Sequence, residues 1–264
     1  MNSYHSFAYV YDKFMDNVPY TQWADYLLEL MAKHGKTPEK VSDDPLSQER
    51  NLVLDLGCGT GTLTELMADA GFDMIGIDNS MDMLEIAMDK KAASGKDILY
   101  LMQDMRELEL YSTVGTVISV CDSINYILED EDLVTVFKLV NNYLYPKGLF
   151  IFDFNTLYKY ETVIGDTTIA ENREDASFIW ENYYHEDEHI NEYDLTIFVK
   201  ENTKEELFSR YYETHYQRGY TLAEVKSLLS IAGMEFVEAI DADTHDVVTD
   251  VSERIYIVAR EKGK

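Results

Sequence analysis

The chain of 264 residues is long enough for one large domain, with or without an insertion, and 46% hydrophobic residues suffice to build a core. Its 50 acidic and 22 basic residues give a formal net charge of −28, which argues against a surface that binds nucleic acid or an anionic membrane. Two cysteines exclude a disulfide framework and a zinc cluster, and no stretch is typical of a signal peptide or a membrane span, so we expect a cytoplasmic protein without a metal site.

The first 50 residues predict two helices and a connector. Aromatic and apolar side chains recur at helical spacing from about Tyr4 to Met15, and Pro19 begins a second helix that Gly35 ends. Residues 35–51 are polar and contain two prolines, which indicates a connector. The aromatic stripe is compatible both with helix packing and with a lid over a ligand.

A glycine-rich loop between a strand and a helix is the most informative stretch. The apolar strand Leu52–Leu56 runs into glycines at alternate positions, and such a loop lets a ligand lie against bare main chain. The spacing differs from that of a dinucleotide site, and the Asp55 carboxylate would repel a phosphate but would suit an ammonium group. The loop glycines are Gly57, Gly59 and Gly61, and Cys58 lies between the first two.

The next two predicted strands are also followed by acidic residues. The second strand ends at Asp78, about twenty residues after the first glycine, which is the spacing of an acid that hydrogen-bonds a ribose. Asn79 or Ser80 then caps the following helix. The third strand leads to Asp104 and Met105. A single loop carboxylate would mean little, but three acids after three successive strands indicate a binding edge.

The fourth predicted strand, residues 114–120, is an almost continuous apolar run, which is typical of a buried parallel strand. The hexapeptide Cys-Asp-Ser-Ile-Asn-Tyr, residues 121–126, follows it. Ligands of doubly wound sheets bind at the carboxyl ends of the strands, where the strand order reverses. We therefore expect this hexapeptide, which contains Cys121, Asp122 and Asn125, to face the reacting part of the ligand.

After a turn at residues 146–148 and a fifth strand over residues 149–154, the alternation of strands and helices stops. Antiparallel strands are predicted over residues 167–170, 177–184, 193–200 and 207–216. His185 and His189 stand among acids at a predicted hairpin tip, where a solvated turn is favoured over a metal site. A capping box at Thr221 then begins a helix, and two closing strands over residues 234–240 and 253–259 complete the sheet.

The Asp-x-Gly-x-Gly-x-Gly sequence of residues 55–61, with the acids after the next two strands, resembles motif I and its surroundings in the class I S-adenosylmethionine (SAM)-dependent methyltransferases. The resemblance implies an α/β fold: a Rossmann-like seven-stranded sheet with helices on both faces and an antiparallel last strand. The N-terminal helices and the insertion resemble glycine N-methyltransferase and sugar N,N-dimethyltransferases. The implied organisation is a helical lid and connector (1–50), a SAM-binding core (51–154 and 217–264) and an antiparallel β insertion on the substrate side (155–216).

The resemblance also implies which residues bind SAM. It assigns the ribose to Asp78, the adenine to Asp104 and the Met105 backbone, and the amino group to the Cys121 carbonyl. Tyr11 is expected to contact the methionine carboxylate. The remaining predicted cofactor-binding residues are Asp55, Gly57, Cys58, Gly59 and Gly61 around the methionine portion, and Asn79 beside the ribose.

The expected reaction transfers a methyl group to an N or O atom of a small molecule. Asp122 would orient an amine acceptor and stabilise its developing charge, with Asn125 beside it. A hydroxyl acceptor needs a base, and His215, on one strand face with Glu213 and Gln217, is the candidate. The alternative that Asp122 and His215 only tie loops together stays open, as does the choice between tyrosines that line a chamber and tyrosines that merely favour strands.

The sequence is less compatible with three other functions. A nicotinamide-dependent oxidoreductase would need a phosphate-compatible loop without Asp55. An RNA methyltransferase is opposed by the acidic charge and by the absence of an Asn/Asp-Pro-Pro-Tyr motif after the fourth strand. A non-catalytic SAM-binding module would differ by lacking turnover. The expected partner is a small-molecule acceptor, with no membrane, and the sequence leaves a homodimer open.

Overall fold

A computed structural model of the protein describes residues 4–37, 45–201 and 207–264. The helices are α1 (Tyr4–Phe14), α2 (Tyr20–Lys33), α3 (Pro45–Asn51), α4 (Thr62–Asp69), α5 (Met81–Ser94), α6 (Asp130–Tyr143) and α7 (Leu222–Ile231). The strands are β1 (Leu52–Leu56), β2 (Asp73–Asp78), β3 (Ile98–Met102), β4 (Val114–Ser119), β5 (Leu144–Asn155), β6 (Thr168–Asn172), β7 (Ala176–His185), β8 (Ile190–Lys200), β9 (Phe208–Arg218), β10 (Glu235–Asp241) and β11 (Arg254–Arg260).

The larger sheet has seven strands in the order β10-β11-β5-β4-β1-β2-β3. β1 pairs in parallel with β2 and β4, whereas β11 is antiparallel to both β5 and β10. The order reverses between β1 and β4, so the carboxyl ends of these two strands form the crevice where such sheets bind ligands. This topology, together with the separate four-stranded sheet, confirms the predicted fold class.

Two apolar layers hold helices against the two faces of this sheet. Successive side chains of a strand point to opposite faces, so Leu54 and Leu56 join a core with α6 and α7, while Val53 joins a core with α2 and α4. Strand β4 is buried along its whole length, as its apolar run predicted. The rigid sheet therefore fixes where the loops at its carboxyl edge lie.

The smaller sheet, β6-β7-β8-β9, is antiparallel and presents its inner face to α1. Val10 is fully buried with Leu195 on this face, and Phe14 packs edge-on against Phe178 with ring centroids 4.9 Å apart. Arg173 next to β6 forms an ion pair with Asp16 after α1 at 2.7 Å. Helix α1 is thus attached to the antiparallel sheet. The side chains of residues 4–7 and 9, part of the predicted aromatic stripe, lie outside the described side chains.

Two boundaries differ from the sequence prediction. The predicted connector contains the short helix α3, which begins with proline, a residue favoured at the first helical position; residues 38–44 of that connector lie outside the described residues. The turn predicted before strand five is instead a bulge inside β5, since Val114 pairs with Leu144 and Thr116 pairs with Leu149. Within the described residues, no helix is long and apolar enough to cross a membrane.

Candidate active site

The glycine loop follows β1 with its glycines in the left-handed region, at φ of 83°, 54° and 75° for Gly57, Gly59 and Gly61. Residues with a Cβ rarely adopt these angles, which is why glycine occurs there. A Cβ on Gly57 would lie 2.6 Å from Ser123 Oγ, so this glycine lets β1 approach the segment after β4. A Cβ on Gly59 would meet nothing within 4 Å. The main chain at Gly59 therefore borders open space that a ligand can enter.

Asp78, at the end of β2, holds the loop in this shape. Its carboxylate accepts hydrogen bonds from Gly59 N and Ser80 N, each at 2.8 Å. Burial raises the pKa of Asp78 even though these hydrogen bonds favour its charged form. Ser80, rather than Asn79, caps α5 through its hydroxyl, which accepts from Met83 N at 3.3 Å; Asn79 is exposed beside it. The assignment of Asp78 and Asn79 to a ribose stays a prediction.

Asp55 lies beneath the loop and not at its surface. It is 2% exposed and accepts a hydrogen bond from Thr64 Oγ1 of α4 at 2.6 Å. Burial raises its pKa to about 7, against the lowering effect of the Thr64 hydroxyl. Asp55 therefore ties α4 to β1, and a direct contact with an ammonium group is still a prediction. Cys58 is also largely buried, and burial raises the pKa of its thiol.

Asp104 is already engaged by its neighbour. Its carboxylate accepts from Arg106 Nη2 at 2.6 Å and from Arg106 N at 2.8 Å, and the guanidinium lowers the pKa of Asp104. Met105 lies closer to the loop, because its Cε would be 3.7 Å from a Cβ on Gly57. Met105 is thus the part of this predicted adenine-binding pair that borders the glycine loop.

The end of α1 lies over the loop and over the tip of β4. Asp12 accepts from Thr60 Oγ1 at 2.6 Å and forms an ion pair with Lys90 of α5 at 2.7 Å. Tyr11, beside it, places its hydroxyl 3.9 Å from Cys121 Sγ. Sequence reasoning identified Tyr11 but missed Asp12, whose partners lie on other elements.

At the tip of β4, Cys121 and Asp122 both have positive φ, 67° and 56°. Such conformations cost a non-glycine residue about 1–2 kcal/mol each. They are held by Asp153 of β5, which is fully buried and accepts from Cys121 N at 3.2 Å and from Asp122 N at 3.0 Å. Burial raises the pKa of Asp153 to about 6, opposed by Arg254, whose Nη1 lies 3.5 Å from Oδ2.

This pair could not be predicted from the sequence, because Asp153 and Arg254 meet only through the pairing of β5 with β11. Arg254 also lies over the ring of Trp23 in α2, with its Cζ 4.4 Å from the ring centroid. The second N-terminal helix is thereby attached to the same edge of the sheet. Burial raises the pKa of the Cys121 thiol, so that thiol is protonated at neutral pH.

Asp122 connects the tip of β4 to the antiparallel sheet. Its Oδ2 accepts from Gln217 Nε2 of β9 at 2.7 Å, and Gln217 Oε1 accepts from the Tyr160 hydroxyl at 2.9 Å. Burial raises the pKa of Asp122, while Lys159, Gln217 and Arg254 act in the opposite direction. The carboxylate is therefore easier to protonate than an exposed one.

His215 lies two residues before Gln217 on the inner face of the antiparallel sheet. Its Nε2 is 3.0 Å from Glu213 Oε2, and its ring stacks on Tyr193 with centroids 4.9 Å apart. The Tyr193 hydroxyl is 2.6 Å from that of Tyr126, whose ring is 44% exposed. Tyr126 therefore borders open space beside His215, in the region expected to receive an acceptor.

Asn125, the third predicted catalytic residue, is turned toward the main chain. Its side chain is completely buried and bonds only main-chain atoms: Nδ2 donates to Asn155 O at 2.9 Å and to Arg218 O at 2.7 Å, and Oδ1 accepts from Asn155 N at 2.8 Å. These bonds use its amide donors and join the ends of β5 and β9 to the tip of β4. Its contacts thus stabilise this edge of the sheet, and a catalytic role for Asn125 stays a prediction.

The histidines of the predicted hairpin tip lie in a turn between β7 and β8. His185 Nε2 is 2.8 Å from Glu192 Oε2, and His189 has a φ of 57°. Among the residues that the structure describes, no group of three or more His, Cys, Asp or Glu side chains could hold a metal ion.

Comparisons with known proteins agree with this geometry. A family model described as a methyltransferase domain matches residues 53–148. A candidate methyltransferase of Geobacillus sp. (strain WCH70) is 33% identical over 258 residues, which cover 98% of this chain and 99% of that protein. The crystal structure of a SAM-dependent methyltransferase from Clostridium acetobutylicum ATCC 824 has a TM-score of 0.85 at 27% identity, covering 99% of this chain and 100% of that one.

A more distant structure is CalS10, a SAM-bound amino pentose methyltransferase from Micromonospora echinaspora, with a TM-score of 0.72, 14% identity and 96% of each chain covered. At that identity it shows the fold alone. The chain belongs to the class I SAM-dependent methyltransferases. It is an enzyme, its cofactor is SAM, and a nicotinamide-dependent oxidoreductase is thereby set aside.

The residues at the crevice fit this cofactor. Open space above Gly59 leaves bare main chain at the switch point of the sheet, and acids follow β2 and β3 where a nucleoside would meet hydrogen-bond acceptors. The carboxylate of Asp78 beside the loop disfavours a pyrophosphate and suits a ligand with a cationic end.

Proposed function

We propose that this enzyme methylates an N or O atom of a small molecule, in the space between the tip of β4 and the inner face of the antiparallel sheet. The observation that carries the proposal is the 2.7 Å hydrogen bond between Asp122 and Gln217. It joins the segment nearest the glycine loop to the strand that holds His215. The residues proposed to bind the cofactor are thereby joined to the strand proposed to face the methyl acceptor.

The proposed cofactor site consists of the glycine loop, Asp78, Met105, Cys121 and Tyr11. SAM supplies an electrophilic methyl group on its sulfonium. The main chain at Gly59 would support the methionine portion, and the Tyr11 hydroxyl over Cys121 would close the site from the side of α1. Fixing the cofactor and the acceptor in one geometry is the main source of rate in such a transfer.

Asp122 and His215 are the proposed catalytic residues. An amine must be neutral to attack and gains positive charge as it does so, and the Asp122 carboxylate would orient it and stabilise that charge. The raised pKa of Asp122 brings the carboxylate closer to the range where it can take up a proton. A hydroxyl acceptor needs a base, and His215, oriented by Glu213, would serve.

The setting supports a small acceptor. Tyr126, Tyr193 and His215 form an aromatic wall beside open space, and ring faces attract a cationic reacting centre. The net charge of −28 opposes an RNA substrate and favours cationic molecules. CalS10, which shares the fold, is itself an amino pentose methyltransferase.

Calorimetry and a methyl-transfer screen test the proposal. S-adenosylhomocysteine should bind and NAD should not, and wild-type enzyme should methylate members of a panel of small amines, phenols and carboxylates. Asp122→Asn and His215→Ala should each lower kcat about a hundredfold, the lower end of the range for general acid–base catalysis and electrostatic stabilisation, and leave S-adenosylhomocysteine affinity within a few-fold.

Asp187→Asn, in the exposed turn between β7 and β8, is the control for loss of one carboxylate. If only His215→Ala loses turnover, and the pH dependence disappears with it, the acceptor atom is oxygen. Wild-type turnover in both variants would show that the catalytic face is wrongly assigned.

A further inference from the structure

Three polar atoms on the inner face of the antiparallel sheet are buried and have no hydrogen-bond partner among the described residues. They are Glu213 Oε1, Trp180 Nε1 and, further along β8, Asn191 Oδ1. Leu195 pairs with Trp180 on one side and with Glu213 on the other, so the orphan atoms of these two residues belong to one row across β7, β8 and β9. Buried polar groups in native proteins are nearly always hydrogen-bonded, so two orphans in one row indicate a site for a polar ligand.

Glu213 is the stronger of the two observations. The residue is 6% exposed, and its Oε2 is already used by His215 Nε2 at 3.0 Å. Its Oε1 is therefore a free acceptor on a carboxylate that is otherwise fixed. The Tyr193 ring, stacked on His215, lies beside it on the neighbouring strand.

The orphan oxygen lies next to the proposed catalytic pair but does not coincide with it. Glu213, His215 and Gln217 alternate along one face of β9, and Gln217 donates to Asp122. Four residues of an extended strand span roughly 13 Å between Cα atoms. A molecule that contacts both Glu213 and Asp122, the residue that Gln217 holds, therefore needs two separate polar groups.

We infer that Glu213 Oε1 binds a second polar group of the methyl acceptor, a hydrogen-bond donor that is distinct from the atom methylated at Asp122. The acceptor class is a small molecule with a nucleophilic amine or hydroxyl at one end and an amine or hydroxyl donor at the other. This inference rests on the proposed function. Trp180 Nε1, in the same row, provides a donor for an oxygen atom of the same ligand.

Helix α1 packs beside this row, and we expect it to control access. Val10 is fully buried in the cluster that contains Leu195, the residue between the two orphan atoms, and Trp180 packs against the same cluster. A ligand reaches the row when α1 is displaced. The subsite is thereby closed to solvent once α1 returns, which strengthens a hydrogen bond to a charged oxygen.

Matched acceptor pairs test the inference with the SAM-loaded enzyme. The probes are α,ω-diamines and amino alcohols of increasing length, each compared with the alkylamine of the same length that lacks the second donor. Wild-type kcat/KM should favour the two-donor member about tenfold to a hundredfold, as expected for one hydrogen bond to a charged group. Glu213→Gln should reduce this ratio to within about twofold of one, mostly through KM.

Glu192→Gln, at a neighbouring acidic residue of β8, is the matched control and should keep the wild-type ratio. Trp180→Phe, which removes only the indole donor, should lower kcat/KM for amino alcohols more than for diamines. Binding of S-adenosylhomocysteine by calorimetry shows that each variant is folded with an intact cofactor site.

Three outcomes would overturn the inference. Equal losses for both members of each pair in Glu213→Gln would mean that Glu213 acts only by orienting His215. An unchanged ratio without loss for either member would mean that the second donor binds elsewhere. If wild-type enzyme binds S-adenosylhomocysteine but methylates no small acceptor, the proposed function fails and the inference falls with it.

Discussion

The charge of Asp55 beneath the glycine loop can be tested by the substitution Asp55→Asn. Burial raises the pKa of this carboxyl from 3.8 to about 7, whereas in the unfolded chain it titrates near its ordinary value. The native state therefore binds more protons than the unfolded state between about pH 4 and pH 7, and this group makes stability fall as the pH rises through that window. Because the pKa of Asp55 is about three pH units higher in the folded chain, titration of this group changes the free energy of unfolding by about 4 kcal/mol, at 1.36 kcal/mol per unit.

The asparagine keeps an oxygen that can accept from the Thr64 hydroxyl but cannot ionise. Urea denaturation followed by circular dichroism should show that the free energy of unfolding of Asp55→Asn, relative to wild type, increases by about 4 kcal/mol between about pH 4 and pH 8. At pH 4 the difference in free energy of unfolding between Asp55→Asn and wild type is smaller than this increase and reflects the new amide donor. The change of this difference with pH is therefore the informative quantity.

Two curves that run parallel across this pH range would refute the reasoning, since they would mean that Asp55 titrates alike in the folded and unfolded states. Asp187→Asn in the exposed β7–β8 turn controls for removing one charge from an acidic chain. Its curve serves as the baseline for the comparison.

Three further predictions follow from the site. Gly59→Val should abolish S-adenosylhomocysteine binding in calorimetry, because its side chain fills the open space at the glycine loop. The protein should stay folded, since the left-handed backbone costs only about 1–2 kcal/mol. Retained binding would contradict a cofactor site at this loop. S-adenosylhomocysteine should slow amide exchange across residues 4–20, measured by mass spectrometry, because this segment is expected to close over the cofactor. Unchanged exchange would contradict that expectation. Asn125→Ala should lower the free energy of unfolding by about 2–4 kcal/mol through lost main-chain hydrogen bonds, with kcat of the folded enzyme retained; a selective loss of kcat would support a catalytic role.

The seven-stranded sheet and the glycine loop could be predicted because their signals are local. Apolar runs, glycines at alternate positions and an acid about twenty residues later are all read along one stretch of chain. The capping box at Thr221 was equally visible, and the structure forms it, with Glu224 accepting from Thr221 N at 2.7 Å.

The parts that could not be predicted depend on the pairing of distant strands. Asp153 meets the tip of β4, and Arg254 meets Asp153, only because β5 lies between β4 and β11. The contacts of Asn125 could not be predicted for the same reason: its partners are the main chains of Asn155 and Arg218, which are 30 and 93 residues away. In the sequence, Asn125 is simply a polar residue beside Asp122.

Helix α1 connects the proposed cofactor site with the antiparallel sheet, which is the proposed acceptor side. Its consecutive residues Val10, Tyr11 and Asp12 contact three different parts of the molecule: the antiparallel sheet, Cys121 at the tip of β4, and Thr60 of the glycine loop. A helix turns by about 100° per residue, so neighbouring positions necessarily face different surroundings. We therefore expect a movement of α1 away from the glycine loop to loosen its packing on the antiparallel sheet as well. On the proposed function, this would couple entry of the cofactor to entry of the acceptor.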